Sequence, residues 1–281
     1  MLENILTKPA NLARNVPQYP TYNTNQLVKK VSRLPTQDEL PCDDGVPMET
    51  ERHRMQMELL ISSLEPWLYG HTKGYVGGNM FVYFSEKQIK NQDFKGPDVF
   101  VVLGVSNVER KSWVVWEEGK GLDIVIELLS ESTTTTDKTT KKEVYQDQLK
   151  VQEYYWFDPF DSQDFVGWEL DEQGTYQKKL FDAQEGMISK QLGLALVRWH
   201  GEFHRRKAVW LRWATLEGEL LFTDNERAEQ ECKAKEQERK AKKKERRAKK
   251  WERQEKEQAQ KQVELLANKL RALGIDPNEL G

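Results

Sequence analysis

Cysteine is nearly absent. The 281 residues contain two, Cys42 and Cys232, far apart and in segments of different character, so they form neither a disulfide framework nor a metal-ligand spacing. Long apolar runs are missing too. Nothing approaches the ~18 consecutive apolar residues of a membrane-spanning helix, and the opening M-L-E-N-I-L-T-K-P-A lacks the apolar core behind basic residues that marks a secretory leader. The expectation is a soluble, cytoplasmic protein of a reducing compartment with no membrane partner. No glycine-rich, phosphate-cradling loop follows a strand, and Y-V-G-G-N at 75–79 has the wrong spacing, which argues against a nucleotide cofactor.

What is abundant is charge, 32% of residues, and it is unevenly placed. Between Asp224 and Arg271 there are 17 Lys and Arg against 11 Asp and Glu, a surplus of six. The whole chain is −3, so the remainder carries about −9. An acidic body gives no long-range pull on nucleic acid, so any such binding needs a local patch or the basic tail.

The chain reads as three parts. Residues 1–35 are interrupted by Pro9, Pro17, Pro20 and Pro35 and read as an extended arm, with a short helix near 25–32. Residues 36–223 read as the folded domain. It opens with a turn-rich acidic segment in which Asp43, Asp44 and Gly45 form a tight turn without calcium-loop spacing. From 49 to 69, Met55, Leu59, Leu60, Ser63 and Trp67 recur at helical steps, with Thr50 as cap and His53 in the first turn. Strands are predicted at 75–84 around a Gly77-Gly78 kink, at 97–103, 112–116, 122–129 and 153–159, and as a hairpin at 165–170 and 175–181. A helix is predicted at 139–149, and 186–223 reads as short strands and loops. Residues 224–281 form a helical tail, free of Gly and Pro until Gly274, roughly 75 Å long if continuous. Ala259, Val263, Leu266, Leu270 and Leu273 follow steps of four, three, four and three, a coiled-coil seam that predicts a homodimer through this helix. The basic run at 239–250 is either a solvated face or a nucleic-acid contact.

Chemistry concentrates between Gly96 and Tyr145. Two β-branched strands each carry an acid, Asp98 near the start of one and Glu127 within I-V-I-E-L-L. Alternation puts Glu127 on the face of Val125 and Leu129. An acid buried among aliphatic residues must be paired or metal-bound; the other readings are an edge strand facing water or a structural ion pair. Lys138, Lys141 and Lys142 follow. Carboxylates on adjacent strands with an ammonium nearby are the parts needed to hold a divalent metal and cut a phosphodiester.

These positions resemble the PD-(D/E)XK nuclease superfamily and, more narrowly, the Uma-two family of restriction-endonuclease-like proteins: Pro97 and Asp98, Glu127 in I-E-L-L-S-E-S-T, Asp137, Lys141 and Tyr145, then E-Y-Y-W-F-D-P at 153–159. The resemblance covers about residues 36–215. It implies an α/β fold, a restriction-endonuclease-like α-β-β-β-α-β core with a mixed sheet, here followed by a long C-terminal helix. It implies Mg²⁺, with Mn²⁺ as an alternative, bound by Asp98, Glu127 and the Leu128 carbonyl, and DNA as substrate. It also implies a catalytic set of Asp98, Glu127, a lysine and, from the family's first helix, His53. The superfamily lysine two residues after the acid is Leu129 here, so the resemblance points instead to Lys141 on the next helix, with Lys142 as its neighbour. A member that only binds nucleic acid or scaffolds through its basic helix is the competing expectation.

Overall fold

A computed structural model describes residues 34–42, 50–85, 94–183 and 185–274. The chain forms two units, Met1–Pro35 and Thr36–Gly281. The expected helix near 25–32, most of the expected arm, the turn at 43–45 and the segment beyond Gly274 lie outside the described residues.

The second unit begins its regular structure with α1, Glu51–His71, started by Thr50, whose side chain accepts from the His53 N–H. Then come β1 (Gly74–Gly77), β2 (Val82–Tyr83), β3 (Phe94–Lys95), β4 (Val99–Leu103), β5 (Trp113–Val114) and the short α2 (Val115–Glu118). Strand β6 spans Ile124–Leu128. A continuous helical stretch follows: α3 (Thr134–Thr136), a π-helical turn (Asp137–Lys141) and α4 (Lys142–Asp147). The helix expected at 139–149 thus starts earlier and contains a turn wound wider than an α-helix, a feature that recurs at functional sites.

Strands β7 (Glu153–Phe157), β8 (Phe165–Leu170) and β9 (Tyr176–Lys178) complete a six-stranded sheet in the order β1-β4-β6-β7-β8-β9. Within this sheet the β6–β7 pair is parallel and the other neighbours are antiparallel. The parallel pair is the one joined through α3–α4, because a return in the same direction needs a crossover. In chain order, α1, β1, β4, β6, the crossover helix and β7 form the α-β-β-β-α-β core in a mixed sheet.

Alternation sorts the side chains of this sheet into two cores. Val99, Val101, Ile124, Ile126, Leu128, Tyr155 and Phe157 face one core, shared with Leu60, Leu64 and Leu68 of α1. Phe100, Val102, Val125, Leu129, Tyr154 and Trp156 face the other, shared with Tyr145 of α4. Glu127 has the parity of the second set.

The segment after 186 departs from the expected short strands. It is a second antiparallel sheet of β10 (Met187–Ser189), β11 (Leu194–Phe203) and β12 (Arg206–Ala214). Its strands β11 and β12 are ten and nine residues long, and a tight turn with His204 and Arg205 at positive φ joins them. The sheet is keyed to α1 by the Gln56 amide, which donates to the Leu211 carbonyl (2.8 Å) and accepts from the Leu211 N–H (2.9 Å). The aromatic and charged alternation of this stretch had obscured its length.

Helix α5 runs from Asp224 to Ala272, 49 residues with none buried. A capping box of Thr223 and Glu226 starts it. Buried Arg212 of β12 grips Glu226 through both terminal guanidinium nitrogens (2.9 and 2.8 Å). Beyond that anchor its side chains are exposed almost throughout. Cys42 and Cys232 are both free and exposed. Among the described residues no helix is long and apolar enough to cross a membrane.

Candidate active site

Asp98 owes its place to a close crossing of backbones. At the Gly77-Gly78 kink the chain passes so near the start of β4 that a Cβ on Gly78 would lie 2.3 Å from the Asp98 carbonyl oxygen and 2.8 Å from Ile61 Cδ1. Only glycine fits there. The next residue, Asn79, donates its N–H to the Pro97 carbonyl (3.1 Å). Asp98 is therefore clamped from behind, and its Oδ2 accepts from the Leu128 N–H (2.7 Å). Val99 pairs with Ile126, and one further step of this antiparallel register sets Asp98 opposite Glu127.

Glu127 is fully buried, and both its oxygens are bonded. Oε1 accepts from the Tyr145 hydroxyl (2.7 Å) and Oε2 from Lys141 Nζ (3.0 Å). Lys141 and Tyr145 share a helix face, as the four-residue spacing predicts, so the crossover helix delivers both to one carboxylate. Lys141 also stands 2.7 Å from Asp137 Oδ1. The structure thus brings Asp98, Glu127 and Lys141 together and adds Tyr145 and Asp137.

Three acids crowd one ammonium in a largely buried region, and the protonation equilibria reflect it. Burial raises the Glu127 carboxyl, and the Asp98 and Asp137 charges add to the rise. Lys141 and the Tyr145 hydrogen bond offset only part of it, leaving Glu127 at about 8. Asp98 is also raised, again by burial first, against the opposing pull of Lys141 and the Leu128 N–H. For Lys141 burial works against the charged form, but the Glu127, Asp137 and Asp98 carboxylates outweigh it and hold the ammonium above its ordinary value. Tyr145 lies well above its ordinary range through burial and the Glu127 charge.

This donor set suits a divalent cation. Carboxylate oxygens are the ligands Mg²⁺ and Mn²⁺ take, and the cluster is short of positive charge. Among the described residues no three His, Cys, Asp or Glu side chains form a ready cage. Mg²⁺ does not require one, since it is commonly held by one or two carboxylates with water and substrate phosphate completing the shell. Of Leu128, it is the N–H, turned to Asp98, that the structure ties into the cluster.

The remaining sequence candidates go elsewhere. His53 is buried, with Nε2 on the Leu129 carbonyl (2.8 Å) and Nδ1 on the Thr50 hydroxyl (2.7 Å). A carbonyl only accepts, so Nε2 carries the hydrogen. His53 ties the start of α1 to the end of β6, two residues past Glu127. Lys142 turns away, its ammonium 3.4 Å from the Trp168 ring centroid, and burial lowers it from its ordinary value. Lys138 pairs with Asp164. Asp137 appears in the sequence pattern, yet its membership of the cluster escapes a reading by strand parity. The available signal was its four-residue spacing from Lys141 on a helix.

No curated protein matches the chain by sequence. A protein from Anabaena variabilis ATCC 29413 of known structure, described as a "putative nuclease belonging to DUF820", is similar over 53% of this chain and 85% of its own at 17% identity. The TM-score is 0.36, too low for that likeness to carry an argument. The model of the Uma2 family, described as "Putative restriction endonuclease", matches residues 39–200. That span exceeds half of the chain and contains Asp98, Glu127, Asp137, Lys141 and Tyr145, and on this ground the chain belongs to the Uma2 family of restriction-endonuclease-like proteins.

Proposed function

We propose that this nuclease-family chain is a Mg²⁺-dependent endonuclease that hydrolyses phosphodiester bonds in DNA, with Mn²⁺ able to substitute. The observation that carries the reading is the convergence of the Lys141 ammonium and the Tyr145 hydroxyl on Glu127, beside Asp98 at the adjoining strand. Asp98 and Glu127 would hold the cation, with the Leu128 carbonyl as a further ligand. The cation, when bound, supplies Lewis acidity and a bound water of lowered pKa. The chain's own residues do the rest. The Leu128 N–H orients Asp98, and Tyr145 fixes the Glu127 carboxylate. Lys141, 18% exposed, is the one cationic group of the cluster and would meet the attacking water or a phosphate oxygen, where a preoriented positive charge lowers the barrier. His53 contributes by fixing the strand end that carries Glu127 and Leu128.

The test is nicking of supercoiled plasmid with Mg²⁺ or Mn²⁺ by the wild type, Asp98→Ala and Glu127→Ala. Metal-dependent nicking lost in both variants is expected. Equal nicking by all three, or none by the wild type across several DNA substrates, refutes it.

A second reading rests on α5, whose exposed run at 239–250 bears nine Lys and Arg and one Glu. In it the protein binds nucleic acid or scaffolds without cutting, as a cytoplasmic homodimer paired along Ala259–Leu273. DNA binding would then be steeply salt-dependent and lost on deleting 224–281. Binding that survives the deletion, or a monomer in sedimentation, counts against it.

A further inference from the structure

Asp137 opens the π turn that ends with Lys141. Its carboxylate is 1% exposed, and neither oxygen receives a directed hydrogen bond. Its close partner is Lys141 Nζ, 2.7 Å from Oδ1. The Asp137 main chain is held from the sheet, because buried Tyr154 of β7 donates its hydroxyl to the Asp137 carbonyl (2.8 Å). Lys141 Nζ therefore lies between acids on two different elements, Glu127 Oε2 on β6 at 3.0 Å and Asp137 Oδ1 on the crossover helix.

A buried carboxylate whose one close cation is already shared with Glu127 recovers little for its desolvation, so its charge is weak evidence of a contribution to folding. Glu127 is poorly suited to hold the ammonium by itself, since the site asks the same carboxylate to accept from Tyr145 and to face a cation. Asp137 and Lys141 are four residues apart on one helical turn, so this anchor travels with the lysine.

We infer that Asp137 is the positioning residue for Lys141: it is the second anionic anchor, which keeps the ammonium in place when the Glu127 charge is engaged by a bound cation. This role rests on the cation-binding part of the nuclease reading; what Lys141 then does rests on that reading as a whole.

The experiment is amine acetylation of the full-length protein, read at each lysine by mass spectrometry, with exposed Lys243 as internal reference. In the wild type Lys141 should label far more slowly than Lys243, with and without saturating Mg²⁺. In Asp137→Asn it should label severalfold faster once Mg²⁺ is added, and Asp137→Glu should restore part of the protection. Labelling of wild-type Lys141 that rises to the Lys243 level on adding Mg²⁺ overturns the inference without any variant. So does unchanged labelling in a folded Asp137→Asn protein that still binds terbium, whereas absence of terbium binding in the wild type refutes the cation reading itself. Terbium luminescence, sensitised by the neighbouring tyrosines, separates a third case: if Asp137→Asn weakens terbium binding as much as Asp98→Ala does, Asp137 is a cation ligand and the inference fails. On a DNA substrate, Asp137→Asn should lower kcat by about 100-fold, the cost of a small misplacement, with KM little changed. A wild type that labels as expected but never nicks DNA refutes the nuclease reading alone.

Discussion

Replacing Glu127 by glutamine should make the protein more stable, and increasingly so as pH rises. Glu127 is fully buried and its carboxyl is raised from 4.5 to about 8. An acid whose folded pKa lies above its unfolded value holds its proton longer in the native state. Native stability is then greatest below about 4.5, falls as pH rises towards 8, and levels off beyond. One pKa unit corresponds to about 1.4 kcal/mol. Between pH 5 and pH 8 the wild type should thus lose about 4 kcal/mol relative to Glu127→Gln, a figure that already includes the attraction of Lys141. At pH 5, where both side chains are neutral and similar in shape, the two proteins should lie within about 1 kcal/mol. The assay is urea unfolding of both at intervals from pH 5 to pH 8, with a chelator present so that no cation compensates the charge. A wild-type-minus-variant difference that stays flat across this window refutes the reasoning. So does a variant that becomes progressively less stable, which would make the Lys141–Glu127 pair a net stabiliser. The same variant should lose plasmid nicking, the trade expected of a site kept for chemistry at the expense of stability.

Three further outcomes follow from the packing. Gly78→Ala forces a Cβ against the Asp98 carbonyl and should cost about 1–3 kcal/mol, read as a lowered Tm together with weaker terbium binding. Glu153 is buried and accepts from Lys179 (3.0 Å), Ser189, the Lys190 N–H (2.7 Å) and Tyr155, joining β7 to the second sheet. Glu153→Ala should therefore cost about 3–5 kcal/mol by denaturant unfolding while leaving the intrinsic terbium affinity of the folded protein unchanged. Truncation after Gln230 removes, among the described residues, no buried side chain and should leave stability within about 0.5 kcal/mol, whereas Glu226→Ala, which strips buried Arg212 of its carboxylate, should cost about 3 kcal/mol.

By itself the sequence determined whatever depends on period and composition. The two-residue alternation in V-F-V-V-L and I-V-I-E-L assigned each side chain to a face and marked Glu127 as the anomalous acid. The four-residue spacing put Lys141 and Tyr145 on one helix face, and the loss of Gly and Pro after Asp224 announced an exposed helix. Only the tertiary structure decided what depends on distance between segments far apart in the chain. The passage of Gly78 behind Asp98, the tie from His53 to Leu129 and the clamp from Gln56 to Leu211 join residues that no local pattern connects. The length of β11 and β12 was hidden because one sheet face is lined by aromatic and charged side chains in mixture, which blurs the period. The entry of Asp137 into the cluster depends on how the crossover helix, held by the Tyr154 hydroxyl, lies against β6. The raised pKa of Glu127 depends on burial, a property of the assembled sheet and helix and not of the strand that carries the acid.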